Sequence, residues 1–292
     1  MTAVLFLCFT REKTAILFSM ERKDVFAGYW YPSDKDELHD LIAFQPEHGA
    51  RIRSAILPHA GLFFSHRGIA HYLARVDHAI TRVIILSPSH YFYLKPNEML
   101  GSRVFASART PLGVLSMVPL EGAAFGGEMQ IQREHAVEMV LPGLQEVLPG
   151  VSVSMGLVNQ VDEDQVERLA GLILGQMDDH TSLIASSDFT HYGEGFHYIP
   201  YGPEISDEVR DKVGRDDREL AGLLALGEWR QALRLSIGRH STVCGIAPSV
   251  IASCVNSHLG LVGEIADSYD SFGLSGGGES FVSYVTVLWR NP

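Results

Sequence analysis

Cysteine is scarce in this chain: three residues of 292, Cys8, Cys244 and Cys254. An odd, sparse set excludes a disulfide framework and suits a reducing compartment, where a retained thiol is a buried small residue or a ligand. Basic charge is also short. Lys and Arg number 23 against 35 Asp and Glu, and the formal net charge is −12. Such a chain is repelled by phosphate backbones and by anionic membrane surfaces. No cluster of basic residues with interleaved aromatics overrides that sign, so neither a nucleic-acid nor a membrane partner is expected. No apolar run approaches the ~20 residues of a membrane span. The opening MTAVLFLCFTREKTAILFSMERK places its apolar run ahead of Arg11, Glu12 and Lys13, the reverse of a signal peptide. We expect a cytoplasmic protein. Repeats, low-complexity tracts and charge blocks are absent.

What is present is an ordinary globular composition, 46% hydrophobic and 20% charged, ample for a sizeable core. Residues 1–23 read as an N-terminal extension, with Met20 a candidate start, and residues 24–292 as one α/β domain. Short apolar β-type runs alternate with helical patterns. Strands are expected at Ile52–Leu57, Arg82–Ser87, Val151–Val158 and Ser182–Ala185, and late ones at Val262–Tyr269 and Phe281–Trp289. Helices are expected at Arg67–Val76, His135–Leu148, Val166–Met177, from about Ile205 to Leu235, and at Ile246–His258. The Gly-rich SGGGES at 275–280 reads as a loop between the last two strands. Near-continuous apolar strands alternating with helices imply a mixed, largely parallel central sheet flanked by helices on both faces. The late strands are candidates for antiparallel pairing.

In open α/β sheets the ligand crevice lies beyond the carboxyl ends of the strands. Three of the expected strands run straight into a turn that carries histidine: Pro58-His59-Ala60-Gly61, Pro88-Ser89-His90, and Ser186-Ser187-Asp188-Phe189-Thr190-His191-Tyr192-Gly193. His59 and His90 are separated by about one βαβ unit of ~30 residues. If their strands are neighbours, both imidazoles project into one crevice. A lone loop histidine is ordinarily just solvated, and His39, His48, His78 and His180 read that way. Three at equivalent strand ends are a different matter, because neutral imidazole is the commonest metal ligand. Cys244, in Ser241-Thr242-Val243-Cys244-Gly245-Ile246-Ala247-Pro248, sits where Ser241 or Thr242 can cap a helix and Pro248 is tolerated near its start. The positive helix end there favours thiolate, which is both nucleophile and ligand. Cys254 lies on the apolar stripe Val250, Ile251, Cys254, Val255 and reads as core. His135 and Glu138, three apart on a helix, share a face. That spacing fits a metal-ligand pair and equally a common surface pairing.

Taken together these segments resemble the Memo family, called AmmeMemoRadiSam system protein B in prokaryotes. The matching segments run in order from Ala27-Gly28-Tyr29-Trp30-Tyr31-Pro32 through the three histidine turns, Glu134-His135 to Leu141-Pro142, Cys244-Gly245 with Pro248, and Ser283-Tyr284. The resemblance implies a fold like that of class III extradiol dioxygenases. It implies metal ligands at His59, His90 and Cys244, with Asp188 and His191 beside them and His135 in the pocket. His191, Asp188 and His135 are then the candidate catalytic groups. The chain departs from the family at Leu62, His66, Ala136 and Gly143, which affects the pocket wall rather than the ligand positions. Family members are also often encoded beside a radical-SAM protein, a candidate functional partner.

Two functions follow. One is a redox-active metal protein of dioxygenase ancestry, with iron or copper as the cofactor. The two-His-one-carboxylate set with open positions is the pattern for oxygen-activating iron; here a cysteine takes the third place, and its sulfur shifts preference toward copper(I) and is itself open to oxidation. The other is a non-catalytic binding or adaptor protein whose pocket holds a metal, peptide or small ligand. A third, Cys244 as nucleophile in acyl or phosphoryl transfer, lacks an oxyanion-hole signature.

Overall fold

The structure, a computed structural model, describes residues 20–47, 51–94, 100–102, 105–125 and 131–292. Most of the expected N-terminal extension, Cys8 included, and His48 lie outside the described residues. The chain builds a large mixed sheet covered by helices on both faces, and the sheet does not close into a barrel. Along its described length come β1 (Glu21–Arg22), α1 (Lys35–Ile42), β2 (Ile52–Leu57), α2 (Leu62–Leu73), β3 (Arg82–Pro88), β4 (Gly101–Ser102), and a hairpin of β5 (Ser107–Thr110) and β6 (Gly113–Met117). After β7 (Ala124–Phe125) come two short helices, α3 (His135–Glu138) and α4 (Leu141–Val147), then β8 (Ser152–Val158), α5 (Glu163–Leu174), β9 (Thr181–Ser186) and β10 (His191–Gly193). The last third holds α6 (Asp207–Ala225), α7 (Trp229–Gly238), α8 (Ile246–His258), β11 (Val262–Asp270), α9 (Ser271–Ser275) and β12 (Ser280–Arg290).

The sheet order is β1-β5-β6-β8-β3-β9-β2-β12-β10, with β11 on the far side of β12. From β6 to β2 every pairing is parallel, and β12 pairs antiparallel with β2, β10 and β11. The strands at the centre explain the parallel core. Val83 and Ile85 of β3 pack into one apolar cluster and Ile84 and Leu86 into the other, so both faces are buried. β9 does the same with Ile184 against Leu183 and Ala185. At about 1.5–3 kcal/mol for each fully buried branched side chain, only helices on both sides satisfy such strands. One layer is α2 and α4, the other α5 to α8. No helix among the described residues is long and apolar enough to cross a membrane.

Two expected helices are each divided. The segment from His135 is broken into α3 and α4, with Pro142 in the first turn of α4, where its missing N–H costs nothing. The stretch expected from about Ile205 to Leu235 breaks at Gly227, whose φ of +79° ends α6 in the left-handed region. The strands of His59 and His90 are not neighbours. β9 runs between β2 and β3, so the two imidazoles meet over its carboxyl end.

Candidate metal centre

The turn after β2 places His59 with only 2% of its surface exposed. Its backbone N–H donates to Asp188 Oδ1 at 2.7 Å, and the Ala60 N–H reaches the same oxygen at 3.3 Å. Asp188 thus ties the end of β2 to the end of β9. The imidazole itself is fixed by Ser186, the last residue of β9. Ser186 Oγ donates its one hydrogen to Ala136 O at 2.6 Å, so toward His59 Nδ1, 2.8 Å away, it accepts. His59 therefore carries its proton on Nδ1 and turns the Nε2 lone pair outward. Cys244 Sγ lies 3.2 Å from that Nε2.

His90, after β3, is the open member. Its Nδ1 is 2.8 Å from Glu134 Oε1 and its backbone N–H donates to Glu134 Oε2 at 2.9 Å. The carboxylate accepts from Nδ1–H; this carboxylate–histidine pairing is the usual support of a metal-bound imidazole. His135, first residue of α3, stacks on the His90 ring at 4.4 Å and 29°. Its Nδ1 is buried with no hydrogen-bond partner. Donor atoms of His59, His90 and His135 all lie within 4.8 Å of one another. Burial, with the neighbouring imidazoles adding to it, holds His59 well below its ordinary pKa and pulls His135 down to about 3. Three crowded rings, two of them kept neutral by burial, fit a divalent or monovalent metal cation, which needs unprotonated donors.

Cys244 departs from expectation in one respect. Neither Ser241 nor Thr242 caps α8: Ser241 Oγ accepts from Val243 N–H, and Thr242 Oγ1 exchanges hydrogen bonds with the His191 backbone. Gly245 is the N-cap, with no side-chain cap. The thiol is pushed well above its ordinary pKa, first by burial and then by the Asp188 carboxylate, so the helix start does not make it a free thiolate. A metal cation is what would draw its proton off. Gly245 is required here: a Cβ would sit 2.4 Å from Ser186 O and from Ser187 Cβ. Cys254 is buried within α8, as expected.

His191 is oriented by main-chain carbonyls, Phe189 O at 3.0 Å and Thr242 O at 3.1 Å, rather than by Asp188. Asp188 is occupied at Oδ1 by the His59 turn, and burial raises its pKa. Glu138 is no partner for His135 at a metal. It is fully buried and its oxygens are taken by Arg22, Phe26 N–H and Tyr31 OH. Of the four positions where a departure from the resembled pattern was expected, Ala136 touches the site through its carbonyl. Gly143 packs against Leu73, Leu62 is buried in the core, and His66 reaches Ala43 O. Two residues that sequence reasoning did not single out, Ser186 and Glu134, set the ring orientations. The acidic residue directly before an expected helix was the available signal for Glu134. His90 and Cys244 open on a cleft of about 590 Å³, whose other walls include Tyr93, Asn159, Gln165 and Ile246.

Comparison with known proteins identifies the family. The sequence profile of the family described as "Memo-like protein" matches residues 22–288. A MEMO1 family protein of the yeast Saccharomyces cerevisiae is 31% identical over 231 residues, 66% of this chain and 66% of its own. One from the archaeon Thermococcus onnurineus is 26% identical over 298 residues, covering 93% of this chain and 100% of its own. Protein MEMO1 of the frog Xenopus tropicalis is 27% identical over 248 residues, 80% and 81% of the two chains.

Proposed function

The chain belongs to the Memo-like protein family, and from that premise we propose that it is a cytoplasmic metal-binding protein whose centre is formed by His59, His90 and Cys244. The observation that carries the reading is the hold on two rings: Ser186 fixes His59 at Nδ1 and leaves its Nε2 lone pair free, and Glu134 holds His90 at Nδ1. Cys244 Sγ beside His59 Nε2 supplies the third donor. The stacked, unprotonated His135 offers a fourth nitrogen or a contact for whatever the metal binds. Iron or copper suits two imidazoles and a sulfur, and such a metal would supply one-electron chemistry. His191, held by two carbonyls, is the group placed to hold or move a proton at the edge of the site, and Asp188 keeps the His59 turn in place.

The assignment is tested by metal analysis and titration of anaerobically purified protein. Cys244→Ser and His59→Ala are expected to lose most of the affinity, while His135→Ala keeps more of it. The opposite order would make the centre a three-histidine site. No iron or copper binding in the intact protein, with no change on His59→Ala, would remove the metal role. Cleavage of plain catechols is expected to be weak or absent, because a sulfur donor beside activated oxygen is oxidised. Ring cleavage at ordinary enzyme rates would overturn that part alone. The second reading is a binding protein without turnover, and the roomy cleft beside His90 and Cys244 favours it. A functional link to a radical-SAM protein belongs to the same proposal and is checked by co-purification.

A further inference from the structure

The strand-end turns leave unexplained a buried ion pair on the N-terminal side of the crevice. Arg22 Nη1 and Glu138 Oε2 are 2.6 Å apart and both side chains are fully buried. Glu138 Oε1 also accepts from Tyr31 OH at 2.7 Å and Phe26 N–H at 2.9 Å. Arg22 Nη2 donates to the carbonyls of Glu134 at 2.9 Å and Gln132 at 3.2 Å, yet its Nε is buried with no partner. A buried pair adds little net stability, since desolvating two charges offsets most of their attraction, and an unmet donor makes the balance worse. Stability alone does not account for it.

Its neighbours do. The carbonyl that Arg22 grips belongs to Glu134, whose carboxylate holds His90 Nδ1. Glu138 lies at the other end of the four-residue helix that begins with His135. The turn fastened through Phe26 N–H and Tyr31 OH presents Phe26 and Trp30 to the His135 ring, at 5.9 and 4.6 Å between centroids. So short a helix has no stability of its own, and its placement must come from outside.

We infer that Arg22 is a positioning residue: through Glu138 and the Glu134 carbonyl, the segment from β1 to Tyr31 latches α3 in place. The latch holds His135 and Glu134 against His59 and His90, so the N-terminal segment completes the centre. This rests on the metal reading for its consequence and on the hydrogen-bond network for its geometry.

Arg22→Met alone leaves Glu138 as an uncompensated buried charge and is a poor probe if it fails to fold. The deciding variant is Arg22→Met with Glu138→Leu, which removes both charges and keeps apolar volume. Two readouts are taken on it and on Leu224→Ala, a core variant on the other side of the sheet that matches any loss of thermal stability. The first, in metal-free protein, is the imidazole nitrogen spectrum. The double variant is expected to lose the signal of the His90 Nδ1 hydrogen bond to Glu134 while Leu224→Ala keeps it. The second is iron or copper affinity, expected to fall about 10- to 100-fold in the double variant, the range for a lost supporting contact. A folded double variant with the wild-type nitrogen spectrum and wild-type affinity would overturn the latch. If the intact protein binds neither metal, the metal reading fails, and the nitrogen spectrum still decides the latch by itself.

Discussion

Ser186 has a single hydroxyl hydrogen, and because it goes to Ala136 O, the tautomer of His59 is settled two bonds away from any ligand. Ser186→Ala is expected to leave His59 in place but free to exchange tautomers, weakening metal binding about tenfold with a small change in stability. Calorimetric titration against the intact protein checks it. The histidines themselves were legible in the sequence because few residue types bind metals and these stand at strand ends. Ser186 and Glu134 were not, since serine and glutamate are common and their roles depend on partners 127 and 44 positions away. His135 carries its own pH signature. Its folded pKa of about 3 lies below the ordinary 6.5, so the unfolded chain takes up the proton first. Stability of the metal-free protein is therefore expected to drop as pH falls from about 6.5 toward 3. His135→Gln should flatten that slope in thermal melts, and an unchanged slope would show that His135 is not held neutral.

At the scale of elements, the site is an agreement among β2, β3 and β9, the start of α8, and the short α3. Apolar periodicity located the first four, because a buried strand or a long helix writes its pattern into every residue. It did not divide α3 from α4, where four residues hold no period and the break comes from outside contacts. Nor did it show that β9 lies between β2 and β3, since strand order follows from packing rather than from any local pattern. The approach of α8 to β9 rests on Gly245. Gly245→Ala puts a methyl within 2.4 Å of Ser186 O and is expected to cost about 1–3 kcal/mol by overpacking. It should also displace Cys244 from His59. Denaturant unfolding measures the first and metal affinity the second; a variant unchanged in both would show that the turn has room. On the far side of the same junction, Asp217 of α6 accepts from Thr190 Oγ1 at 2.7 Å, and burial pushes its pKa up to about 6. The folded state then binds its proton more readily than the unfolded chain. Its contribution to stability grows as pH falls from about 6 toward 4, opposite to His135, and Asp217→Asn should remove that component.

Over the whole molecule, the centre joins parts that are far apart in sequence: residue 59 after the first central strand, 90 after the next, and 244 before α8. In the metal-free protein these meet through a few hydrogen bonds, several of them to backbone. Sequence reasoning reached the layered α/β plan and the meeting of His59 and His90, because both follow from strand-end geometry. It did not reach the N-terminal contribution, since Arg22 lies in what reads as an extension and nothing local marks a buried arginine. A cation that bridges His59, His90 and Cys244 binds the folded chain far better than the unfolded one, so it must raise global stability by linkage. At a free metal concentration one hundred times the dissociation constant the gain is about 2.7 kcal/mol. For a chain of this size that corresponds to a rise in melting temperature of the order of several degrees. The expected result is a melting temperature that climbs with metal concentration and returns to the metal-free value on adding chelator. In His59→Ala the same titration should leave it nearly flat, and an equal rise in both proteins would place the stabilising metal somewhere other than this centre.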